Sequence, residues 1–360
     1  MQRNTPRKRA NLRDVAAAAG VSVATVSRVM NAPETVAEAT RKKVEEAMNS
    51  LHWVPSAAAR AINTGRTRFV GALVPTLDNA IFARVLASME SRLAAHRLSL
   101  VVATTDNDPA QEAEKAKGLV DIGAEGLIVS GITHAPQFYS LIERCQLPTV
   151  STSFYDPGYR LPTIGYDNAA AARTALTHLT DLGHRRIAVV HGPSASNDRT
   201  RSRIAGLEGH SPKPDLSFHE VPLSIAGGCE AGRGILQAEE QPSAVLCLSD
   251  VLASGVLFEL QREGVAVPQE KSVMGLDDLA ASAHLFPALT TVHLPVSRMG
   301  TAAADAIASW VETQQAPTPS LLKSKLVVRD STAFLSAAAK PGTGNRDGSD
   351  SDGQSIPGTA

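Results

Sequence analysis

Ser22, Val23, Ala24, Thr25, Ser27 and Arg28 fall within seven consecutive positions and together offer the contacts that a DNA major groove rewards. Arg28 can donate two hydrogen bonds to guanine O6 and N7, and Val23 or Ala24 can touch a thymine methyl. The short hydroxyls of Ser22, Thr25 and Ser27 suit phosphate oxygens. A second set of polar residues is spread along the chain: Asp167, Asp250 and Asp277 each stand at the end of an apolar run, and Arg203 lies in the stretch S-R-I-A-G. Ligands of open α/β sheets bind at the carboxyl ends of strands, where such carboxylates accept hydroxyl or amine groups. Each has a duller alternative, since an Asp before a helix is often an N-cap and an Arg can be a surface ion pair. The patterns HExxH, GxSxG, GxxxxGK[ST] and GxGxxG are absent and the ten histidines are scattered, with His184 and His191 flanking an apolar run as capping or packing groups. The expected protein is a binder, with no catalytic residues, no cofactor and no metal.

The first set needs helices to present it. LRDVAAAA (12–19) reads as a short helix stopped at Gly20, and Ser22 as the N-cap of a second, Val23 to Asn31. Small alanines on the first helix let the second pack close, with Val15, Val21 and Val26 as shared core. This is helix-turn-helix spacing, in which the second helix turns Val23, Ala24 and Arg28 toward the groove. A third helix is predicted from about Ala37 to Leu51, with Val44, Ala47, Met48 and Leu51 on one face. Pro55 opens a fourth, alanine-rich segment, Ser56 to Thr64.

From Phe69 the rhythm changes to apolar runs alternating with helical stretches: FVGALVP (69–75), LSLVVATT (98–105), GLIVSG (126–131), RIAVVHG (186–192), AVLCLSD (244–250) and SVMGLDD (272–278). That alternation predicts an α/β body of parallel sheets covered by helices on both faces, and its length of about 260 residues implies two lobes. The end of the chain, 339–360, is rich in Gly, Ser and Asp and is expected to be a disordered tail.

Charge divides the same way. The net charge is −1 over 360 residues, yet residues 1–68 hold 12 Lys and Arg against 5 Asp and Glu, leaving −8 on the remainder. A basic end on an acidic body points to an anionic partner met at that end alone. Three cysteines without metal spacing fit a reduced cytoplasm. No apolar run approaches the roughly 18 residues of a membrane span, and the basic start lacks the apolar stretch of a secretory signal.

The stretch L-x-D-V-A-x-x-A-G-V-S-x-x-T-V-S-R-V-x-N, followed by T-R-x-x-V-x-x-A and W-V-P-S-x-x-A-R-x-I-x-T-G-R-T, resembles the head and hinge of the lactose/galactose repressor family. In the body V-G-A-L-V-P-T-L-D-N-A-I-F-A, G-Y-D-N, H-L-T-D-L-G-H-R-R-I, L-S-D-V-L-A-S-G and P-A-L-T-T-V follow in family order. The resemblance implies a helix-turn-helix domain over 1–55, a hinge over 56–68, and an effector-binding and dimerisation domain over 69–338. It further implies two doubly wound lobes like the periplasmic sugar-binding proteins, the first about 69–164 plus 296–320, the second about 167–293 plus 323–338.

The resemblance also assigns roles to individual residues. Ile62 occupies the place of a hinge leucine that wedges between base pairs in the minor groove, with Ala59 allowing close helix pairing. Arg60, Arg66 and Arg68 would face phosphates. Phe82 matches a position that packs on the effector, Arg203 the guanidinium that grips it, and Asp167, Asp250 and Asp277 its polar contacts. Leu223 stands where some members place a stacking aromatic, and Ser249 where the family usually has Asn. The implied protein is a cytoplasmic, nucleoid-associated homodimer that binds double-stranded operator DNA and releases or grips it according to a sugar or sugar acid held between the lobes. The runs V-M-N-A-P-E-T-V and L-V-P-T-L-D-N-A-I-F-A resemble the gluconate-repressor-like subgroup. The competing reading is a solute-binding protein or sugar-active enzyme on a similar fold, which the basic head disfavours.

Overall fold

A computed structural model describes residues 10–54 and 65–335. Ala59, Arg60 and Ile62, and with them the hinge wedge, lie outside the described residues, as does the tail from 339.

The head is three helices, α1 (Leu12–Ala19), α2 (Val23–Asn31) and α3 (Glu38–Ser50), with a short 3-10 turn at Pro33–Thr35 between the last two. Asn11 caps α1 in a reciprocal capping box with Asp14. Gly20 ends α1 at φ 66°, a left-handed conformation that glycine adopts without a side-chain penalty. Val15, Val26, Val29 and Val44 are buried in one cluster, with Val21, Met48 and Leu51 packed on its edge.

The body begins with β1 (Phe69–Val74), α4 (Ala80–Ala95), β2 (Ser99–Thr104), α5 (Pro109–Asp121), β3 (Ala124–Ser130), α6 (Pro136–Arg144), β4 (Thr149–Thr152) and β5 (Thr163–Gly165). It continues with α7 (Asn168–Asp181), β6 (Arg186–His191), α8 (Asp198–Glu208), β7 (Asp215–Glu220), α9 (Ile225–Leu236), β8 (Ala244–Cys247), α10 (Asp250–Arg262) and β9 (Ser272–Met274). It closes with β10 (Thr291–His293), α11 (Val296–Thr313), β11 (Ser320–Leu321) and β12 (Lys325–Val327).

Two parallel sheets result. One runs β11-β5-β4-β3-β1-β2, the other β7-β6-β8-β9, and β10 pairs with β12 in a separate antiparallel ribbon. The chain therefore passes between lobes near 166, near 295 and again between β11 and β12. In the first lobe α4 and α11 pack on each other, while α5 and α6 cover the opposite face. In the second lobe α9 packs on α10, and α7 on α8. Strands covered on both faces read as continuous apolar runs, which is why β1, with FVGALV buried after its first residue, was visible in the sequence.

Candidate functional site

Two surfaces carry the residues singled out in the sequence: the outer face of α2, and a cavity between the lobes. On α2, Val23 is 41% exposed and Ala24 and Arg28 are exposed, so the helix presents them while Val26 and Val29 face the core. Ser22 is the N-cap: its Oγ accepts from Thr25 N at 3.1 Å and lies 2.9 Å from Thr25 Oγ1. Ser27 Oγ accepts from the Asn31 side-chain amide at 3.3 Å. These hydroxyls thus shape the helix as well as remaining at its surface.

Arg66 and Arg68, expected at phosphates, pair here with carboxylates of the body. Arg66 donates to Glu125 at 2.7 Å and to Glu312 at 2.8 Å, and Arg68 donates to Glu312 at 3.0 Å. The carboxylates of the first lobe compete for the same guanidiniums, and Glu312 is held below the usual glutamate range chiefly by its bond from Arg66.

The interlobe cavity, of about 70 Å³, is lined by Phe82, Val85, Leu223, Leu248 and Val296 on its apolar parts and by Asn79, Asn107, Asn197, Arg199, Arg203 and Asp277 among its polar ones. Three helices begin at it. Asn79 caps α4, Asn197 caps α8 and Ser249 caps α10, each accepting a backbone N–H from the first turn, and all three caps line the cavity. Helix N-termini carry partial positive charge and favour anions or electron-rich oxygens nearby. Doubly wound topology puts them there: each helix follows a strand whose carboxyl end faces the crevice.

Arg203 is buried, its Nε donating to Asn168 Oδ1 at 3.0 Å and Nη1 to the Leu248 carbonyl at 2.7 Å. Both bonds fix its plane, which leaves Nη2 with no hydrogen-bond partner among the described residues. Asp277 is 3% exposed, accepts the Ser249 hydroxyl at 2.9 Å, and sits at φ 138°. Burial pushes its carboxyl up to about 7, against the pull of Arg203.

Four expected residues, Phe82, Arg203, Leu223 and Asp277, line the cavity. Two do not. Asp167 is an exposed N-cap of α7, its Oδ1 accepting from Ala170 N at 2.8 Å, and its neighbour Tyr166 lines the cavity in its place. Asp250 is fully buried and committed inside the second lobe. Thr291 Oγ1 donates to its Oδ1 at 2.6 Å, while Ser282 Oγ at 2.6 Å and Leu279 N at 2.9 Å donate to Oδ2. It is a structural acceptor, and burial holds its carboxyl above the usual range. The cap of α10 is Ser249, one residue earlier than the Asp250 cap weighed from the sequence.

Sequence reading missed Arg199. It is buried, lines the cavity, and donates to Asn107 Oδ1 at 2.7 Å. Its signal was present: Arg199 and Arg203 are four apart in a segment that opens a helix just after a strand, so they share one face. His184 and His191 do pack internally, His184 between Ser243, Ser272 and the Ala333 carbonyl. Among the described residues, no cluster of His, Cys, Asp and Glu could hold a metal and no helix is long and apolar enough to cross a membrane.

A three-helix DNA-reading head joined to a two-lobed body with a polar interlobe cavity defines the class of ligand-responsive bacterial regulators. Comparison with known proteins agrees. Residues 11–56 match the family described as bacterial regulatory proteins, lacI family, and residues 176–332 match the periplasmic binding protein-like domain. The chain is 32% identical over 304 residues to the HTH-type transcriptional repressor PurR of Aliivibrio fischeri strain MJ11, covering 82% of this chain and 90% of the relative. It is 31% identical over 320 residues to the HTH-type transcriptional regulator GntR of Escherichia coli strain K12, covering 88% and 96%. Among solved structures, the lac repressor dimer bound to operator and the anti-inducer ONPF superposes with TM-score 0.82 at 26% identity, covering 91% of this chain and all of that one. The protein belongs to the lacI family of bacterial regulatory proteins.

Proposed function

We propose that the protein is a sequence-specific transcriptional repressor that binds operator DNA as a homodimer and answers to a sugar acid held between its lobes. The observation that carries this is the meeting of Arg199, Arg203 and three helix N-termini at one interlobe cavity, in a chain whose other end is a DNA-reading head. Guanidiniums and helix N-termini suit a carboxylate. The asparagines and Asp277 suit hydroxyls, and Leu223 offers apolar contact where an aromatic ring would stack on a planar ligand. A structural neighbour at 25% identity and TM-score 0.66, the transcriptional regulator CelR, was solved as a complex with the sugar cellobiose. The regulatory reading places the protein at the nucleoid and gives it no enzymatic step.

In this scheme effector and operator bias one conformational balance, and the effector shifts it only by its differential affinity for the two arrangements. The test uses the full chain. Duplexes selected by the protein from a random pool should share a pseudo-palindrome, and a thermal-shift screen of sugars, sugar acids and nucleosides should raise the melting temperature with a sugar acid. Arg28→Ala should lose the selected duplex yet keep the thermal shift. A solute-binding protein or enzyme would select no duplex.

A further inference from the structure

We infer that the start of α8 is a latch that closes the two lobes on each other through protein contacts alone. Asp198, from the second lobe, reaches the loop after β3 of the first: its Oδ2 accepts from Ile132 N at 2.5 Å and from Thr133 N at 3.0 Å. Its Oδ1 lies 3.2 Å from Arg199 Nη1. Arg199 in turn donates across to Asn107, and Arg201 Nη2 donates to Thr133 Oγ1 at 3.0 Å. Three side chains of a single turn therefore cross the cleft. Asp198 itself does not line the cavity that holds Arg203 and Asp277, but borders a smaller one between the lobes, beside Asn107, Thr133 and Arg199.

The receiving loop is built for the contact. Gly131 has φ 87°, and a Cβ there would lie 2.5 Å from both Asp198 Oδ2 and Arg199 Nη1. Any other residue would be strained and would also block the latch. The loop is braced on its own lobe, because the Tyr159 hydroxyl donates to the Ile132 carbonyl at 2.9 Å and Ser151 Oγ donates to the Gly131 carbonyl. Next to it the buried His134 Nδ1 lies 2.6 Å from Glu112 Oε2. A carboxylate pulling on a braced loop moves the lobe, not the loop.

A carboxylate holding two backbone N–H groups in a partly buried place makes stronger bonds than a neutral acceptor. Closure thus has a contribution independent of any small molecule, and whatever binds the cavity works on lobes already drawn together. That last consequence rests on the proposed effector reading; the latch does not.

The experiment measures lobe separation in the full-length chain with no small molecule added. Spin labels are placed at Gln137→Cys on α6 and Ala205→Cys on α8, both exposed, with Cys145 and Cys229 replaced by serine. Labelled chain is mixed with excess unlabelled chain, so that distances within one chain dominate. Electron-electron resonance should give one short distance. Asp198→Ala and Gly131→Ala should each shift it to longer values, although Gly131→Ala removes no hydrogen bond. Asp198→Asn, which keeps an acceptor oxygen, should shift it less. Circular dichroism checks that each variant is folded, and a misfolded Asp198→Ala leaves Gly131→Ala and Asp198→Asn to decide. An unchanged distance in the folded variants overturns the latch. If the distance moves as described while no sugar acid binds, the latch stands and the effector reading fails. If a sugar acid binds, Asp198→Ala should weaken it by roughly tenfold from outside the cavity.

Discussion

The Ser249 hydroxyl donates to Asp277 Oδ2 at 2.9 Å, so one cavity residue, itself the cap of α10, holds another in place. The bond orients a carboxyl that burial has pushed up to about 7, with Arg203 pulling it down and Asp250 pushing it further up. Near neutral pH this group is part protonated, and its charge only partly offsets the Arg203 guanidinium.

A pH dependence follows. A bound carboxylate favours the protonated form of Asp277, so affinity for an anionic effector should rise as pH falls from 8 to 6, and calorimetry at three pH values reads it. Asp277→Asn should flatten the profile. The same group weakens the fold as pH rises. The folded chain keeps its proton to about 7, whereas an unfolded aspartate releases it near about 3.9, so stability declines between those values and Asp277→Asn removes that decline.

Asp250 should matter to the fold and not to the effector. Asp250→Ala strands the Thr291 and Ser282 hydroxyls in the core and takes the acceptor from the part-buried Leu279 N–H. Unmet buried donors cost about 1–3 kcal/mol each, so urea unfolding should show a loss of at least about 2 kcal/mol. A variant of unchanged stability but lost effector binding would restore Asp250 to the cavity.

On the head, Arg28→Ala should cost about 1–3 kcal/mol at one guanine in each half-site and leave other sequences little changed. Competition with single-base operator variants reads this directly; equal weakening on every sequence would make Arg28 a phosphate contact.

Ser22→Ala removes the acceptor for Thr25 N at the start of α2. A lost N-cap costs typically about 1 kcal/mol. The melting temperature of the head should fall while the body's transition stays in place.

The sequence carried some of this plainly and hid the rest for physical reasons. The head was legible because its punctuation is local: Gly20 at positive φ, Ser22 as cap, valines at helical spacing. The strand β4, TVST, was not, because it is buried yet polar. Thr149, Ser151 and Thr152 satisfy their hydroxyls on nearby carbonyls of the first lobe, so hydropathy gave no signal. At the cavity, position at a strand end could not say which way a carboxylate turns. Asp277 lines the cavity, whereas Asp250 turns toward Thr291 and Ser282, and Asp167 caps its own helix. Arg199 shares a helix face with Arg203, four residues on, but in the arginine-rich run Arg199, Arg201, Arg203 the residue types alone do not separate a buried guanidinium from a solvated one.

If the cavity and the head share one conformational balance, their couplings are reciprocal. Operator affinity is measured by fluorescence anisotropy with and without saturating sugar acid, and sugar-acid affinity by calorimetry with and without saturating operator. Linkage requires that the two ratios agree. A common factor of about ten or more, about 1.4 kcal/mol of coupling, is the predicted result. Both ratios at one, with each partner still binding, would mean that the cavity and the head share no free energy, and would contradict effector control of operator binding.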